Sequence, residues 1–230
     1  MGLTLCIETA TEVCSIAIAK DDELLAVETT TEPFQHASLI TSMIDECVRK
    51  LPGIYLSNLD SIAVSEGPGS FTGLRVGLAA AKGLCFALNI PLVPIGTLKS
   101  LAFELRKRFV PMPNTLFCSM LDAKRLDVYY AIFDGSLKPV VAPTAATLSE
   151  HYFSQWFEKG FELIFGGNAV FKLDQLKSLE RCKQLNIACS AEYLISLAHH
   201  KNLMQDYSEA ANFVPKYLKP PNITKPRKVI

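Results

Sequence analysis

The sequence has no excess of charge of either sign, because 23 lysines and arginines balance 23 aspartates and glutamates. No global electrostatic field therefore points to nucleic acid or to an anionic membrane surface. The seven cysteines are odd in number and include no CxxC pair, which argues against a disulfide framework and favours free thiols buried in a reducing cytosol. The four histidines show no HxxxH or HExxH spacing, so the common zinc signatures are missing.

The sequence also lacks a long uninterrupted apolar segment. Its first ten residues, MGLTLCIETA, have no basic region before an apolar run and already contain Glu8, so we expect no signal peptide. The longest apolar run, residues 76–88, contains Lys82 and is too short to cross a bilayer core about 30 Å thick. With 49% hydrophobic residues among 230, the chain can build a large core divided between two lobes. We expect a cytoplasmic protein without membrane contact.

Residues 65–77, SEGPGSFTGLRVG, combine a strand end, a turn and a helix start in one short segment. The Gly67-Pro68-Gly69 turn prevents strand and helix alike from continuing, and Ser70 can cap a helix whose first N–H groups are free. This arrangement predicts either an anion site or a tight backbone contact. A P-loop would need Lys-Ser/Thr directly after the glycines and a nucleophile elbow would need GxSxG, and neither occurs here. We therefore interpret Ser70 as an N-cap.

The predicted helix over residues 71–88 is apolar on nearly all sides, and its charged residues are Arg75 and Lys82. Each glycine costs a helix about 1 kcal/mol relative to alanine, so the close approach of another backbone is expected to compensate. Two interpretations stay open, a core helix covered by its own sheet and a subunit interface, and both can hold on different faces. The stripe of small residues consists of Gly73, Gly77 and Ala80.

Hydrophobic periodicity predicts that strands and helices alternate along the chain. Three strands over residues 3–7, 13–19 and 24–29 form a meander with two short turns. Thr97 is predicted to cap the helix that follows it, and Pro111 and Pro113 mark the boundary between the lobes. The other predicted strands cover residues 62–64, 91–95, 115–121, 127–133, 162–165 and 186–188. The predicted helices cover residues 37–51, 71–88, 98–108, 149–159 and 190–205.

The chain ends in a basic, proline-rich tail after Asn212. We interpret the tail as a solvated extended segment, and contact with RNA phosphates is the alternative. Its basic residues, with no acid among them, are Lys216, Lys219, Lys225, Arg227 and Lys228.

The turn after the first strand places hydroxyl groups beside an acid. A strand that ends in Glu8 and is followed by Thr9, Thr11 and Ser15 resembles the first phosphate loop of the actin-like ATPase and sugar-kinase superfamily. In such a loop, hydroxyls and backbone N–H groups hold phosphate, and a carboxylate positions magnesium or water. Thr9, Thr11 and Ser15 are therefore candidate nucleotide-binding residues, although threonine is ordinary in strand turns. Glu8 stands where these ATPases usually have aspartate, which argues against independent ATP hydrolysis.

Four segments in chain order resemble the TsaB family, formerly YeaZ. The resemblance implies an α/β fold of two actin-like (ASKHA, ribonuclease H-like) lobes, each a mixed sheet flanked by helices. The lobes would cover residues 1–110 and 111–230, and the tail over residues 213–230 could pack back on the N-terminal lobe. The matching segments are LCIETATEVCSIAI (residues 5–18), AVSEGPGSFTGLRVGLAAAKGL (63–84), MLDAKRLDVYYAIF (120–133) and VPKYLKPP (214–221).

The resemblance also implies a role in making threonylcarbamoyladenosine on tRNAs that read codons beginning with adenine. In this family the catalytic paralogue TsaD binds a metal through a histidine pair and transfers the threonylcarbamoyl group. TsaB is the non-catalytic partner that binds and activates TsaD, and the ATPase TsaE is also engaged. We accordingly expect no catalytic residue and no metal site in this chain, with ATP and a divalent metal used by the complex. We also expect a heterodimer with TsaD, tRNA reached through the complex, and a homodimer when the chain is alone.

By the same resemblance, the family pairs through the two helices that map to residues 37–51 and 71–88. Gly73, Gly77 and Ala80 would let a partner helix approach closely, and Arg75 and Lys82 could meet acidic groups across the interface. Gly77→Leu is then expected to abolish TsaD binding while leaving the isolated chain folded. The candidate partner-binding residues are Met43, Cys47, Phe71, Gly73, Leu74, Arg75, Gly77, Leu78, Ala80, Ala81 and Lys82.

Two other functions stay open at this stage. One is an enzyme of actin-like fold, either a small-molecule kinase or a glycoprotease-like hydrolase, which would turn over substrate as the purified chain alone. The other is a self-associating scaffold that uses the same helices in a homodimer. Composition does not distinguish them.

Overall fold

The computed structural model describes residues 2–32, 35–149, 152–176 and 182–220, and in them the chain forms two five-stranded mixed sheets. The first sheet has the strand order β3-β2-β1-β4-β5. Strands β1 to β3 form the predicted antiparallel meander, and β4 and β5 run parallel to β1. The strands are β1 (Leu3–Glu8), β2 (Cys14–Lys20), β3 (Glu23–Thr30), β4 (Ser61–Gly67) and β5 (Leu92–Gly96).

The two faces of the first sheet carry side chains of different size. Large residues such as Leu5, Ile7 and Ile16 face helices α1 (His36–Arg49) and α2 (Phe71–Leu88). On the opposite face, called here the small-residue face, strands β1, β2 and β4 carry small residues, namely Cys6, Ala17, Ala19 and Ala63. Because successive side chains of a strand point to opposite faces, the alternation of large and small apolar residues in β1, β2 and β4 gives the sheet two buried faces.

The second sheet repeats the connectivity of the first, with the order β10-β9-β6-β7-β8. Again a three-stranded antiparallel meander is followed by two strands parallel to its first strand. Its strands are β6 (Thr115–Asp122), β7 (Asp127–Phe133), β8 (Pro139–Thr147), β9 (Glu162–Gly166) and β10 (Lys183–Leu185). The predicted fold class, two lobes each built on a mixed sheet flanked by helices, is confirmed.

In the second half, three predicted strands are confirmed as β6, β7 and β9, whereas three other predicted elements need correction and one strand was missed. Strand β8 was not predicted, because its two prolines hide the strand pattern. The described part of the predicted helix over residues 149–159 is helical only in α4 (Ser154–Glu158), and residues 150–151 lie outside the described residues. Strand β10 lies at residues 183–185 instead of 186–188, and the predicted helix over 190–205 begins as a 3-10 turn, Ala191–Leu194, before α5 (Ile195–Leu203).

Each sheet is covered on one face by a helix that follows the last strand of the other sheet. Helix α3 (Thr97–Arg108) follows β5, yet its Leu98, Leu101 and Leu105 pack against Phe117 and other residues of the second sheet. Residues 191–203 follow β10, yet they pack against the small-residue face of the first sheet. The predicted division into residues 1–110 and 111–230 stays a prediction, and this exchange of helices joins the two halves.

Residues 208–219, called here the C-terminal strap, run along the first sheet to the second. Ser208 N donates to Leu92 O (3.0 Å), and Lys216 N donates to Glu66 O (2.7 Å). Lys219 Nζ then pairs with Asp127 of β7 (2.5 Å). Lys216 Nζ also pairs with Glu66 (2.8 Å). Two of the five basic tail residues, Lys216 and Lys219, therefore form ion pairs with carboxylates of this chain. Lys225, Arg227 and Lys228 lie outside the described residues.

All seven cysteines are free, and six of them are buried, as predicted, while Cys182 is half-buried. In the part of the chain that the structure describes, α2 alone is long and apolar enough to cross a membrane by length and composition. A helix of a protein core passes the same test, and α2 packs on the first sheet through its buried face. The predicted 13-residue apolar run is thus part of a longer helix.

The candidate partner-binding helix and the turn beneath it

The turn between β4 and α2 is a tight backbone contact. Strand β4 runs to Gly67, which precedes a cis Gly67-Pro68 peptide bond. Ser70 N donates to Ala10 O (2.6 Å), and a Cβ atom at Gly69 would overlap the same carbonyl oxygen. Ser70 Oγ accepts from Gly73 N (3.2 Å), which confirms the predicted N-cap. Of the two sequence-based interpretations, the structure therefore has the backbone contact, between the start of α2 and the β1–β2 turn.

The glycines of α2 serve this contact inside the chain. A Cβ atom at Gly73 would overlap Thr9 O, and one at Gly77 would overlap Thr9 Oγ1. Both glycines are buried. These two glycines therefore accommodate Thr9 of the same chain, through its carbonyl oxygen at Gly73 and its side chain at Gly77, and the approach of a partner backbone stays a prediction. The overlap with Thr9 argues against the expectation that Gly77→Leu leaves the chain folded, which stays a prediction.

The candidate partner-binding residues fall into two groups. Most of them lie in the core under α1 and α2, and four lie at the surface of α2. Whether any of them contacts a partner stays a prediction. The buried residues can influence partner binding only indirectly, through the packing of α1 and α2. The buried residues are Met43, Cys47, Gly73, Leu74, Gly77, Leu78 and Ala81; the half-buried or exposed ones are Phe71, Arg75, Ala80 and Lys82.

The sequence-based selection missed an apolar surface on the other side of α2. Ala79, Gly83, Phe86 and Ala87 are exposed, and Phe86 is 91% exposed. We call these four residues the exposed α2 face. Their spacing of four, three and one residues places them on one side of the helix, opposite Leu78, Ala81 and Cys85. The signal was present in the sequence, since an apolar helix that covers one sheet must leave its other side uncovered. The exposed residues of the neighbouring α1 are, by contrast, mostly polar, for example Thr41, Ser42 and Asp45.

The two charged residues of α2 have different surroundings. Lys82 Nζ donates to Ala211 O (3.0 Å), so it holds the C-terminal strap. The Arg75 guanidinium lies over the Phe71 ring, with Cζ 3.9 Å from the ring centroid. Its Nε donates to Tyr217 Oη (3.1 Å). Arg75 is exposed and remains available to an acidic group outside the chain.

The candidate nucleotide-binding residues lie in the buried β1–β2 turn. Thr9, Thr11 and Ser15 are all buried. Three backbone donors of the turn already have partners within the chain: Thr9 N donates to Ser65 Oγ (3.4 Å), Ala10 N to Glu8 Oε1 (2.7 Å) and Val13 N to Thr11 Oγ1 (3.3 Å). The turn as folded does not fit a phosphate group, and nucleotide binding at these residues stays a prediction.

Glu8 is the acid of this turn, and it is fully buried. Its Oε2 atom and the Thr9 hydroxyl have no hydrogen-bond partner among the described residues. Burial raises the pKa of Glu8 to about 7, although hydrogen bonds from Ala10, Ser65 and Thr9 oppose the shift. Because an isolated buried carboxylate is unfavourable, the uncharged acid is stabilised, and a neutral carboxyl is a poor ligand for a divalent cation.

Asp122 occupies the position in the second sheet that Glu8 has in the first, at the end of the first meander strand. The buried Lys172 pairs with Asp122 (Nζ–Oδ1 2.5 Å). Burial raises the pKa of Asp122, but hydrogen bonds from Lys172 and the Lys124 backbone outweigh burial, and the net shift is downward. The sequence-based search missed Lys172, since a lone lysine in a 3-10 turn carries no motif. Among the described residues no group of three histidine, cysteine or acidic side chains could hold a metal ion.

Asn168 connects the β1–β2 turn of the first sheet with the end of β6 in the second sheet. Its Oδ1 accepts from Asp122 N (3.0 Å), and its Nδ2 donates to the Glu12 carboxylate (3.1 and 3.3 Å). The preceding Gly167 has φ +125°, and a Cβ atom there would overlap Met120 O. Only a residue without a side chain fits at this position, which lets the chain bring Asn168 between the lobes.

Comparison with known proteins assigns the chain to a family. The family model described as "TsaD: tRNA N6-adenosine threonylcarbamoyltransferase" matches residues 33–219. The tRNA threonylcarbamoyladenosine biosynthesis protein TsaB of Haemophilus influenzae is 35% identical over 130 residues, which cover 55% of this chain and 52% of the relative. TsaB of Escherichia coli is 32% identical over 127 residues, which cover 55% and 53%. The matched region thus spans about half the length of these curated relatives.

A solved structure extends the similarity over nearly the whole chain. A Pseudomonas aeruginosa protein, described as uncharacterized with similarity to peptidase YEAZ, superposes with a TM-score of 0.82 at 25% identity. The superposition covers 95% of this chain and 100% of that structure. The two repeated mixed sheets, the capped helix behind the GPGSFTG turn and these matches agree with one another, and the chain belongs to the TsaB (YeaZ) family within the TsaD-type proteins of actin-like fold.

Proposed function

We propose that this chain is a non-catalytic partner subunit in the formation of threonylcarbamoyladenosine on tRNA, and that it binds and activates the TsaD-type transferase. The observation that carries the partner role is the exposed α2 face. An apolar helix surface with a phenylalanine 91% exposed is unfavourable in water and is typical of a protein–protein interface.

The two strand-end acids support a role without catalysis. Burial raises the pKa of Glu8 to about 7, which favours its uncharged form, and Asp122 is paired with Lys172. The burial of Glu8 and the ion pair of Asp122 both oppose the positioning of a metal ion or a water molecule, which is the work such acids would do in an ATP-hydrolysing protein. ATP and a divalent metal therefore belong to the other subunits of the complex in this proposal, and tRNA and TsaE are engaged through that complex.

A homodimer is the second candidate assembly, since the same apolar face can pair with a second copy of this chain. Four helices, two from each subunit, would pack across either interface. In the proposal the homodimer is the state of the chain alone, and the transferase displaces one copy. An enzyme acting alone receives no support from the Glu8 and Asp122 surroundings.

The test compares two exposed phenylalanines. Phe86→Glu places a charge on the exposed α2 face, whereas Phe171→Glu places one on the second lobe, where Phe171 is 52% exposed. Burying a phenylalanine side chain contributes about 1.5–3 kcal/mol, so Phe86→Glu should weaken transferase binding at least tenfold. Binding of the purified TsaD-type protein is measured by calorimetry, and the mass of the chain alone by light scattering.

The functional readout is threonylcarbamoylation of tRNA reconstituted with the transferase, TsaE and the carbamoyl-adenylate supply, with this chain present or omitted. Activity should require the wild-type chain or Phe171→Glu and should be lost with Phe86→Glu. Full activity without this chain would contradict the proposed function. Equal binding by both glutamate variants would leave the subunit role intact and place its interface elsewhere.

A further inference from the structure

We infer that the C-terminal strap builds one end of the docking surface on α2, and that Tyr217 positions Arg75 there to bind a carboxylate on a partner helix. The inference rests on the proposed function, because the partner is the transferase subunit that α2 would bind. The inference adds the C-terminal strap, which is distant from α2 in sequence, and a charged contact to the exposed α2 face, which is otherwise apolar.

The strap is anchored on both sides of Tyr217, to the end of β4 before it and to the second lobe after it. Before it, Lys216 N donates to Glu66 O (2.7 Å), and Lys216 O lies only 2.5 Å from the position that a Cβ atom at Gly67 would take. After it, Lys219 pairs with Asp127 of the second lobe. The backbone on each side of Tyr217 is therefore held independently of the tyrosine side chain.

Tyr217 and Phe71 hold the guanidinium of Arg75. The two rings lie 4.8 Å apart between centroids, and Arg75 Cζ lies 3.9 Å from the Phe71 centroid and 5.9 Å from that of Tyr217. The bond from Arg75 Nε to Tyr217 Oη (3.1 Å) uses one of the five guanidinium donors. The rings restrict the rotation of a side chain that would otherwise lose conformational freedom on binding.

The remaining Arg75 donors define the ligand. Its two Nη groups carry four N–H donors in the planar fork that matches a carboxylate. Within the described residues no carboxylate forms an ion pair with Arg75, in contrast to Lys216 and Lys219 of the strap. The apolar surface of Ala79, Gly83 and Phe86 begins four residues further along α2. The complementary partner is a helix with an apolar stripe and an aspartate or glutamate one turn beyond it.

A double-mutant cycle on transferase binding tests the inference. Arg75→Ala and Tyr217→Ala should each weaken binding about tenfold, and the double variant should be little weaker than either, because the tyrosine acts through the arginine. Tyr217→Phe keeps the ring and should lose only about threefold. The affinity of the wild type should fall more steeply with salt than that of Arg75→Ala.

Lys107→Ala is the matched control, since Lys107 forms a comparable exposed contact with the Phe103 ring (5.8 Å) away from this surface, and it should bind as the wild type does. Circular dichroism and urea unfolding establish that the variants fold. Wild-type affinity in Tyr217→Ala, or losses that add fully in the double variant, would overturn the inference alone. No binding by the wild-type chain would overturn the proposed function and this inference with it.

Discussion

At the scale of single residues, the main finding is that two glycines with similar positions in the sequence do different work. Gly77 faces the core, where a Cβ atom would overlap Thr9 Oγ1. Gly83 faces outward, and a Cβ atom there meets nothing within 4 Å. Both count equally in a pattern of small residues, so only their surroundings separate them.

The two glycines predict opposite changes in stability when replaced by alanine. Gly77→Ala should destabilise the chain by about 1–3 kcal/mol, because the added methyl group forces the β1–β2 turn away from α2. Gly83→Ala should stabilise it by up to about 1 kcal/mol, because alanine is the better helix former. Urea unfolding of both variants measures the difference. A destabilised Gly83→Ala, or a Gly77→Ala as stable as the wild type, would contradict this packing.

Glu8 predicts a dependence of stability on pH. Its pKa is raised from 4.5 to about 7 in the folded chain, so the folded state keeps a proton that the unfolded state loses between those values. The contribution of Glu8 to the free energy of unfolding therefore falls by roughly 3 kcal/mol as the pH rises from about 4.5 to about 7. Above pH 7 it stays at this lower value.

Glu8→Gln isolates this contribution, since the amide is neutral at every pH and its oxygen can still accept from Ala10 N. The stability of Glu8→Gln relative to the wild type should be greater at pH 8 than at pH 5. Chemical denaturation at the two pH values measures the difference, and other titrating groups cancel in the comparison. A difference independent of pH would mean that Glu8 is ionised in the fold.

At the scale of elements, α2 and α3 show two helix starts with the same apparent signal. Ser70 caps α2 through its hydroxyl, which accepts from Gly73 N. The prediction that Thr97 caps α3 is wrong: the cap position is Gly96, and Thr97 is the first helical residue. The Thr97 hydroxyl is buried without a hydrogen-bond partner among the described residues. The difference comes from β5, which continues one residue further than predicted, to Gly96.

Removing the two hydroxyls should therefore have different effects. Ser70→Ala should lower the free energy of unfolding by about 1 kcal/mol, the usual contribution of an N-cap. Thr97→Val should have no cost or should stabilise the chain by about 1 kcal/mol, because it removes an unsatisfied buried polar group without changing the shape of the side chain. Thermal and urea unfolding of the two variants provide the test. A loss at Thr97 equal to that at Ser70 would show that the threonine hydroxyl has a partner.

At the scale of the whole molecule, the exchanged helices make the two sheets depend on each other. Helix α3 buries Leu98, Leu101 and Leu105 against the second sheet, and residues 191–203 cover the small-residue face of the first. Asn168 and the C-terminal strap add polar contacts between the lobes. The two sheets and their helices are therefore packed as one unit.

Neither lobe should fold by itself. A fragment of residues 1–110 contains the first sheet with α1 and α2, but it leaves the apolar face of α3 and one face of the sheet uncovered. We expect this fragment to show no cooperative unfolding transition, whereas the full chain should unfold in a single transition. Near-ultraviolet circular dichroism during urea titration distinguishes the two. A cooperative transition in the fragment would mean that the lobes are independent domains.

Much of this architecture could be predicted from the sequence alone, because it depends on local patterns. The β1–β3 meander and the limits of α2 follow from hydrophobic period, turn residues and the Ser70 cap, all of which act between neighbours in the chain. The four family segments were sufficient for the family itself. The second half was harder: β8 carries prolines, and a 3-10 turn from Val170 to Gln175 stands where the first half has α2.

Contacts between distant segments were decided only by the tertiary structure. The sequence does not say which side of an apolar helix meets its own sheet, so the inward-facing Gly77 and the exposed Phe86 were not distinguished. It also does not show that Glu8 would be enclosed by its own turn, that Lys172 would neutralise Asp122, or that Tyr217 would reach Arg75 across 142 positions. Burial and charge pairing depend on which segments meet in space, and that depends on the packing of the whole chain.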